Sequence, residues 1–205
     1  MAIAHYRKAI VLSPEMFQGY SNLGLVYIDL QRYQEAAQAF KQALALGADS
    51  VATYRYLGLA YYRLKQMNLA AHYYEKQVQV EPTSALAHNN LGFANAYLKR
   101  YEESEKSFKA ALLLDPNLGN ATRGLCLTSF ALQKLDQALE FCERAETSFS
   151  DAAIEYLLGM TYLDLGRYGK SLESLEKALA MEPKDIKIFT ALGEANYKFG
   201  RYQEA

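Results

Sequence analysis

The chain has 205 residues, 51% hydrophobic and 22% charged, with a formal net charge of -1. That balance fits a folded chain and excludes extensive disorder. Near-neutrality gives no general pull toward nucleic acid or anionic membrane, and no stretch reaches the roughly 18 apolar residues of a membrane-crossing helix. Four Pro, 12 Gly and two Cys exclude collagen-like, low-complexity and disulfide-scaffold classes.

The elements follow a 34-residue period. Residues 1–16 read as a half repeat, a helix carrying Ala2, Tyr6 and Ala9. In repeat 17–50, Tyr20, Leu23, Gly24 and Tyr27 are spaced i, i+3, i+4, i+7, the stripe of one helix. Ala36, Phe40 and Ala43 make the stripe of a second. Repeat 51–84 repeats the pair with Tyr54, Leu57, Gly58, then Ala70, Tyr74 and Gln77. Repeat 85–118 has His88, Leu91, Gly92, then Ser104, Phe108 and Ala111. Repeat 119–151 diverges most, with Thr122, Cys126, Ser129 and Cys142, and is one residue short, between Ala145 and Ala152. Repeat 152–185 has Glu155, Leu158, Gly159, then Ser171, Leu175 and Ala178. Residues 186–205 form a last half repeat with Phe189, Leu192 and Gly193.

Punctuation keeps the same register. Pro14, Pro82, Pro116 and Pro183 share one slot, apart from the single deletion, and separate one repeat from the next. Glycine at slot 8 costs about 1 kcal/mol against alanine in a helix, so it implies close approach of the partner helix. Arg-Tyr pairs, Arg32-Tyr33, Arg100-Tyr101, Arg167-Tyr168 and Arg201-Tyr202, mark the turn within a repeat, each tyrosine a wedge beneath it. Gly166 and Gly200 are placed to end first helices as left-handed caps.

The pattern Tyr20, Leu23, Gly24, Tyr27, Ala36, Phe40, Ala43 resembles the tetratricopeptide repeat (TPR) family, whose signature is W-x2-L-G-x2-Y, then A-x3-F, A and P. The resemblance spans the whole chain; it departs at the usual Trp, replaced by Tyr20, Tyr54, His88, Thr122, Glu155 and Phe189. It implies an all-α fold, a right-handed α-solenoid (superhelix) of helix–turn–helix repeats forming a single TPR domain over 1–205. It implies a non-catalytic protein–protein interaction scaffold that binds a partner peptide or helix in its concave groove. The alternative is a substrate-presenting or regulatory arm of a larger enzyme such as a glycosyltransferase.

Family geometry points slots 2, 5, 9, 12 and 13 of each first helix into the groove. The resemblance therefore implies a partner site of Arg55, Leu59, Tyr62, Arg63, Asn89, Phe93, Tyr97, Asn120, Arg123 and Phe130. Arginine forks suit carboxylates, asparagine suits peptide backbone, and aromatics with arginine are typical interface anchors. The expected partner is a protein or peptide with apolar anchors and an acidic group; the same large side chains could instead only fill gaps between helices. A chaperone-tail clamp is not expected, because slot 9 holds Leu25, Leu59, Phe93, Leu127, Met160 and Glu194 and no Asn. An asparagine ladder of the sugar-transferring type has two rungs, Asn22 and Asn90.

No catalytic constellation, cofactor or metal site is expected. His5, His72 and His88 are scattered. Asp164 to Ser171 ends like a phosphate-binding loop, but Asp164 stands where glycine is required. Cys126 and Cys142 are expected as two buried, reduced thiols, and Glu102, Glu103 and Glu105 as a solvated acidic face. The location expected is cytoplasmic, with no membrane insertion. The chain opens inside a second helix and stops where the next should start, so head-to-tail self-association through exposed apolar ends is expected.

Overall fold

A computed structural model describes residues 1–149 and 151–200. Among these there are twelve α-helices and no strand, and the fold is an all-α helical-repeat solenoid. The chain falls into two compact units, Met1–Arg100 and Tyr101–Ala205.

The first unit holds α1 (Ala2–Leu12), α2 (Phe17–Asp29), α3 (Tyr33–Ala45), α4 (Val51–Arg63), α5 (Met67–Val80) and α6 (Ala85–Tyr97). The second holds α7 (Tyr101–Leu114), α8 (Gly119–Ala131), α9 (Leu135–Glu146), α10 (Ala152–Asp164), α11 (Tyr168–Met181) and α12 (Ile186–Phe199). Each helix packs on its neighbour in sequence within its unit.

Helix starts are fixed by local chemistry. Ser50, Ser84, Asp151 and Asp185 accept the backbone N–H of Thr53, Ala87, Ala153 and Lys187, satisfying donors that lack an intrahelical partner. Within repeats, the first helix ends on a left-handed residue. Gly166 and Gly200 supply it at φ 70° and 85°, as expected. Elsewhere the slot is Gln31, Lys65, Lys99 or Gln133, at φ 57–61°, a conformation that costs an L residue about 1 kcal/mol.

The core is a repeated knob and hollow. A Cβ on Gly24 would meet Phe40 at 2.8 Å, on Gly58 would meet Tyr74 at 2.4 Å, and on Gly159 would meet Leu175 at 2.5 Å. In each case the slot-24 side chain of the second helix fills the space that slot-8 glycine leaves on the first. Ala36, Ala43, Ala70, Ala111, Ala138, Ala145 and Ala178 are fully buried along the same seam, where small side chains let the helices approach closely; Gln77, buried at the slot of Ala43, is the one large exception. Ser171 fits there because its hydroxyl donates to the Gly159 carbonyl at 2.7 Å. That contact places the last residue of the phosphate-loop-like segment inside the core. Tyr33 and Tyr168 are half-buried wedges against the cores of their units; Tyr202 lies outside the described residues.

Two sequence expectations are corrected. Cys126 and Cys142 are not reduced thiols; their sulfurs are bonded, joining α8 to α9 with Cα atoms 4.7 Å apart. The reason lies in the repeat. Slots 8 and 24 are the hollow and the knob, so two medium side chains replace the glycine–ring pair and meet. Glu105 does not belong to a solvated face. It is buried, with Lys109 Nζ at 2.7 Å on one carboxylate oxygen and Lys134 Nζ at 2.6 Å on the other. Burial pushes its carboxyl up, but the two ammonium groups outweigh that and hold it below the ordinary range.

Candidate protein-interaction faces

Slots 5, 9, 12 and 13 are spaced i, i+4, i+7, i+8, so on any helix they share one stripe. The expected site residues fall on α4 and α6 in the first unit and on α8 in the second.

On α4, Arg55 is half-buried. Its Nη2 donates to Tyr56 Oη at 2.9 Å and its guanidinium lies 4.7 Å over the same ring, which stacks on Phe40. The charge is thus pre-positioned on an aromatic plate. Leu59 and Tyr62 are half-buried, and Arg63 is exposed. Burial raises the Tyr74 phenol; Tyr62 adds to the rise and the Arg63 charge opposes it. On α6, Asn89 is buried with its Oδ1 unpartnered, Phe93 is half-buried, and Tyr97 is 56% exposed with Lys65 Nζ 5.5 Å over its ring. Tyr97 also borders a recess of about 440 Å³ with Lys65, Met67, Leu69 and Leu98. Leu86, at slot 2 of α6, is 48% exposed. Helix α6 therefore leaves Leu86 and Tyr97 exposed on the stripe that also carries Phe93 and the buried Asn89.

In the second unit Asn120 is exposed and Phe130 half-buried on α8. Arg123 is already engaged by Asp151, at 2.8 Å. Asp151 also caps α10. A ligand carboxylate at Arg123 would compete with that pairing, so Arg55 and Arg63 are the better-placed arginines.

Sequence reasoning did not single out a recess of about 240 Å³ in the second unit, lined by Tyr156, Met160, Ile186, Lys187, Thr190, Ala191 and Glu194. Most of these are groove slots of α10 and α12. The signal available was the register alone, since their composition does not contrast with the other repeats. His88 is spent locally, its Nε2 2.9 Å from the Pro82 carbonyl. Among the described residues no group of three or more His, Cys, Asp or Glu could hold a metal ion, and no helix is long and apolar enough to cross a membrane.

With this geometry in hand, the relatives are informative. Models of the TPR repeat match residues 24–65 and 159–200, and tetratricopeptide repeat models match 57–84 and 85–118. Together they cover more than half of the chain, which belongs to the tetratricopeptide repeat family. No curated protein sequence matches it. Among solved structures it is similar to YrrB, a TPR protein with an unusual peptide-binding site, at 21% identity over 91% of this chain and 96% of that one, with a TM-score of 0.77. It is similar to Pseudomonas aeruginosa pilF at 19% identity over 94% and 88%, TM-score 0.74. It is also similar to MamA at 22% identity over 94% and 98%, TM-score 0.74. At such identities the likeness is one of fold. Membership makes the chain a protein-interaction scaffold in the general sense of the family.

Proposed function

We propose that the chain is a non-catalytic scaffold whose first-helix faces bind a peptide or helix of a partner protein. The observation that carries this reading is α6, where Leu86 and Tyr97 stay 48% and 56% exposed on the same stripe as Phe93. Large apolar side chains left exposed on that stripe mark a face that the chain's own core does not use. Leu59, Tyr62, Phe93 and Tyr97 would take apolar anchors, and Arg63 with Arg55 an acidic group. The test is fluorescence anisotropy with a labelled amphipathic helical peptide carrying Leu and Asp, against Tyr97→Ala/Arg63→Ala. The double variant should bind at least about tenfold more weakly, the scale of a hot spot. Equal affinity sinks the assignment of these residues.

A further inference from the structure

Repeats 17–50 and 51–84 share an aromatic pair and differ in what lies against it. Both carry tyrosine at slots 4 and 11 of the first helix, Tyr20 with Tyr27 and Tyr54 with Tyr61, and no other repeat does. At slot 23 of the second helix, one position before the knob, repeat 51–84 has Tyr73 and repeat 17–50 has Ala39. The Tyr73 ring stacks on Tyr61 at 5.5 Å between centroids and on Tyr54 at 6.5 Å. Both distances lie in the roughly 4.5–7 Å range of attractive ring pairs. With alanine at that slot the place of the ring is left open. A recess of about 350 Å³ lies there, with Tyr20, Leu23, Tyr27 and Ala39 in its lining.

The charged groups of the lining, Arg7 and Glu35, are already engaged. Arg7 Nη2 donates to Tyr27 Oη at 3.1 Å. Glu35 accepts from Arg32 Nε at 2.9 Å, and the Arg32 guanidinium, 4.9 Å over the Tyr27 ring, stands outside the lining. One cation and one anion, each with an internal partner, favour neither sign of ligand charge, so the apolar floor decides what fits. Leu23 and Tyr27 are 7% and 4% exposed, whereas Tyr20 is half-buried and presents the accessible ring. Gln38 and Gln42 are exposed on the wall, where their amides can meet a phenol hydroxyl or peptide backbone. None of these residues is at slot 2, 5, 9, 12 or 13, so the recess is separate from the stripes of α4 and α6.

We infer that this recess receives an aromatic side chain, tyrosine or phenylalanine, from a partner protein. The incoming ring lies against Tyr20 as Tyr73 lies against Tyr54 one repeat later. The chain itself names the occupant, since the same two tyrosines in the next repeat hold a ring from slot 23. The volume agrees, being at the lower end of the roughly 300–1,000 Å³ of ligand pockets and suited to one side chain. This contact is additional to the first-helix stripes and does not depend on them.

The test is a ¹⁵N chemical-shift titration of the intact chain with blocked Gly/Ser nonapeptides carrying a central Tyr or a central Leu. The Tyr peptide should shift amides around Arg7, Tyr20 and Ala39, leave those around Tyr54 and Tyr73 unmoved, and bind about tenfold more tightly than the Leu peptide. Ala39→Tyr gives repeat 17–50 the residue of repeat 51–84; it should fold and abolish those shifts. Ala39→Ser, the residue type of Ser107 and Ser174 at this slot, should keep them. Equal binding of the two peptides, shifts that survive Ala39→Tyr, or no shifts on α1, α2 and α3 at millimolar peptide overturns the inference. Loss of the fold in Ala39→Tyr also overturns it, because the slot would then take no ring. Shifts confined to α4 and α6 defeat this contact and leave the first-helix reading standing.

Discussion

Alanine at slot 8 should have opposite effects in two repeats of this one chain. Gly58 and Gly193 both lie inside first helices, so on backbone grounds each substitution gains about 1 kcal/mol. Their surroundings differ. A Cβ at Gly58 would lie 2.4 Å from Cε1, 2.5 Å from Cδ1 and 2.9 Å from Cζ of Tyr74. The Tyr74 side chain is 3% exposed, so its ring cannot swing into solvent and the helices must part. Overpacking of this kind costs about 1–3 kcal/mol and outweighs the propensity gain. At Gly193 nothing among the described residues lies within 4 Å, and only the gain remains. Gly58→Ala should lose about 1–2 kcal/mol and Gly193→Ala should gain about 0.5–1 kcal/mol. Repeat arrays open locally, so hydrogen exchange of α4 and α12 amides should be read beside urea melts. Equal destabilisation by both variants would refute the knob-and-hollow account of the slot.

Three further outcomes follow from buried charge and backbone strain. Glu155 is buried with Oε2 unpartnered, and its carboxyl is pushed up to about 6, by burial first and then by Glu146. A raised acid contributes stability that is full below the ordinary value of 4.5 and is lost as pH rises toward 6. Glu155→Gln should therefore gain about 1–2 kcal/mol at pH 7.5 and flatten the stability profile between those values in urea melts. Glu105 has the opposite sign, since its lowered carboxyl stabilises above the ordinary range and the benefit is lost as pH falls through its folded value. Glu105→Gln should cost about 1–2 kcal/mol at neutral pH, the half-exposed lysines keeping it below a fully buried pair, and the cost should vanish in acid melts. Gln133→Gly, at φ 58°, should gain up to about 1 kcal/mol by thermal melting; a loss would show that the left-handed turn carries no strain.

How much of this was legible in the sequence depends on whether a feature is carried by the period. The helix pairs are, because Leu23-Gly24 and its four Leu-Gly counterparts recur at one register with mostly small residues in the facing seam. The left-handed ends at Gly166 and Gly200 are visible because glycine names the conformation; Gln31, Lys65, Lys99 and Gln133 adopt it with no residue signal, forced by the packing of the helices they join. The register places Cys126 and Cys142 at slots 8 and 24 of one repeat, across the helix pair from each other, but proximity alone does not tell a bond from two buried thiols; the knob-and-hollow contact between those slots is what brings the sulfurs together. Glu105 was hidden because Lys134 is 29 residues away, on the turn before α9, and no local pattern links the two.

The interaction faces expose the deeper limit. Register tells which side chains leave the core, and every site residue expected from it does lie on a first helix. It does not tell what a neighbouring helix does with them. Arg55 and Arg123 occupy the same slot with the same side chain, yet one lies over Tyr56 with its charge unneutralised and the other is paired with Asp151. The difference comes from residues of other slots. The same holds for the α10/α12 recess. Its lining sets Tyr156, Met160 and Ala191 beside Lys187 and Glu194, and slot 5, tyrosine in this repeat, holds Ser21, Arg55, Asn89, Arg123 and Thr190 in the others. A repeat sets positions, and specificity arises from pairs of positions drawn from different repeats. A binding face in such a chain is therefore defined by charge and volume differences between neighbouring helices, and the residues to mutate are those where adjacent repeats disagree.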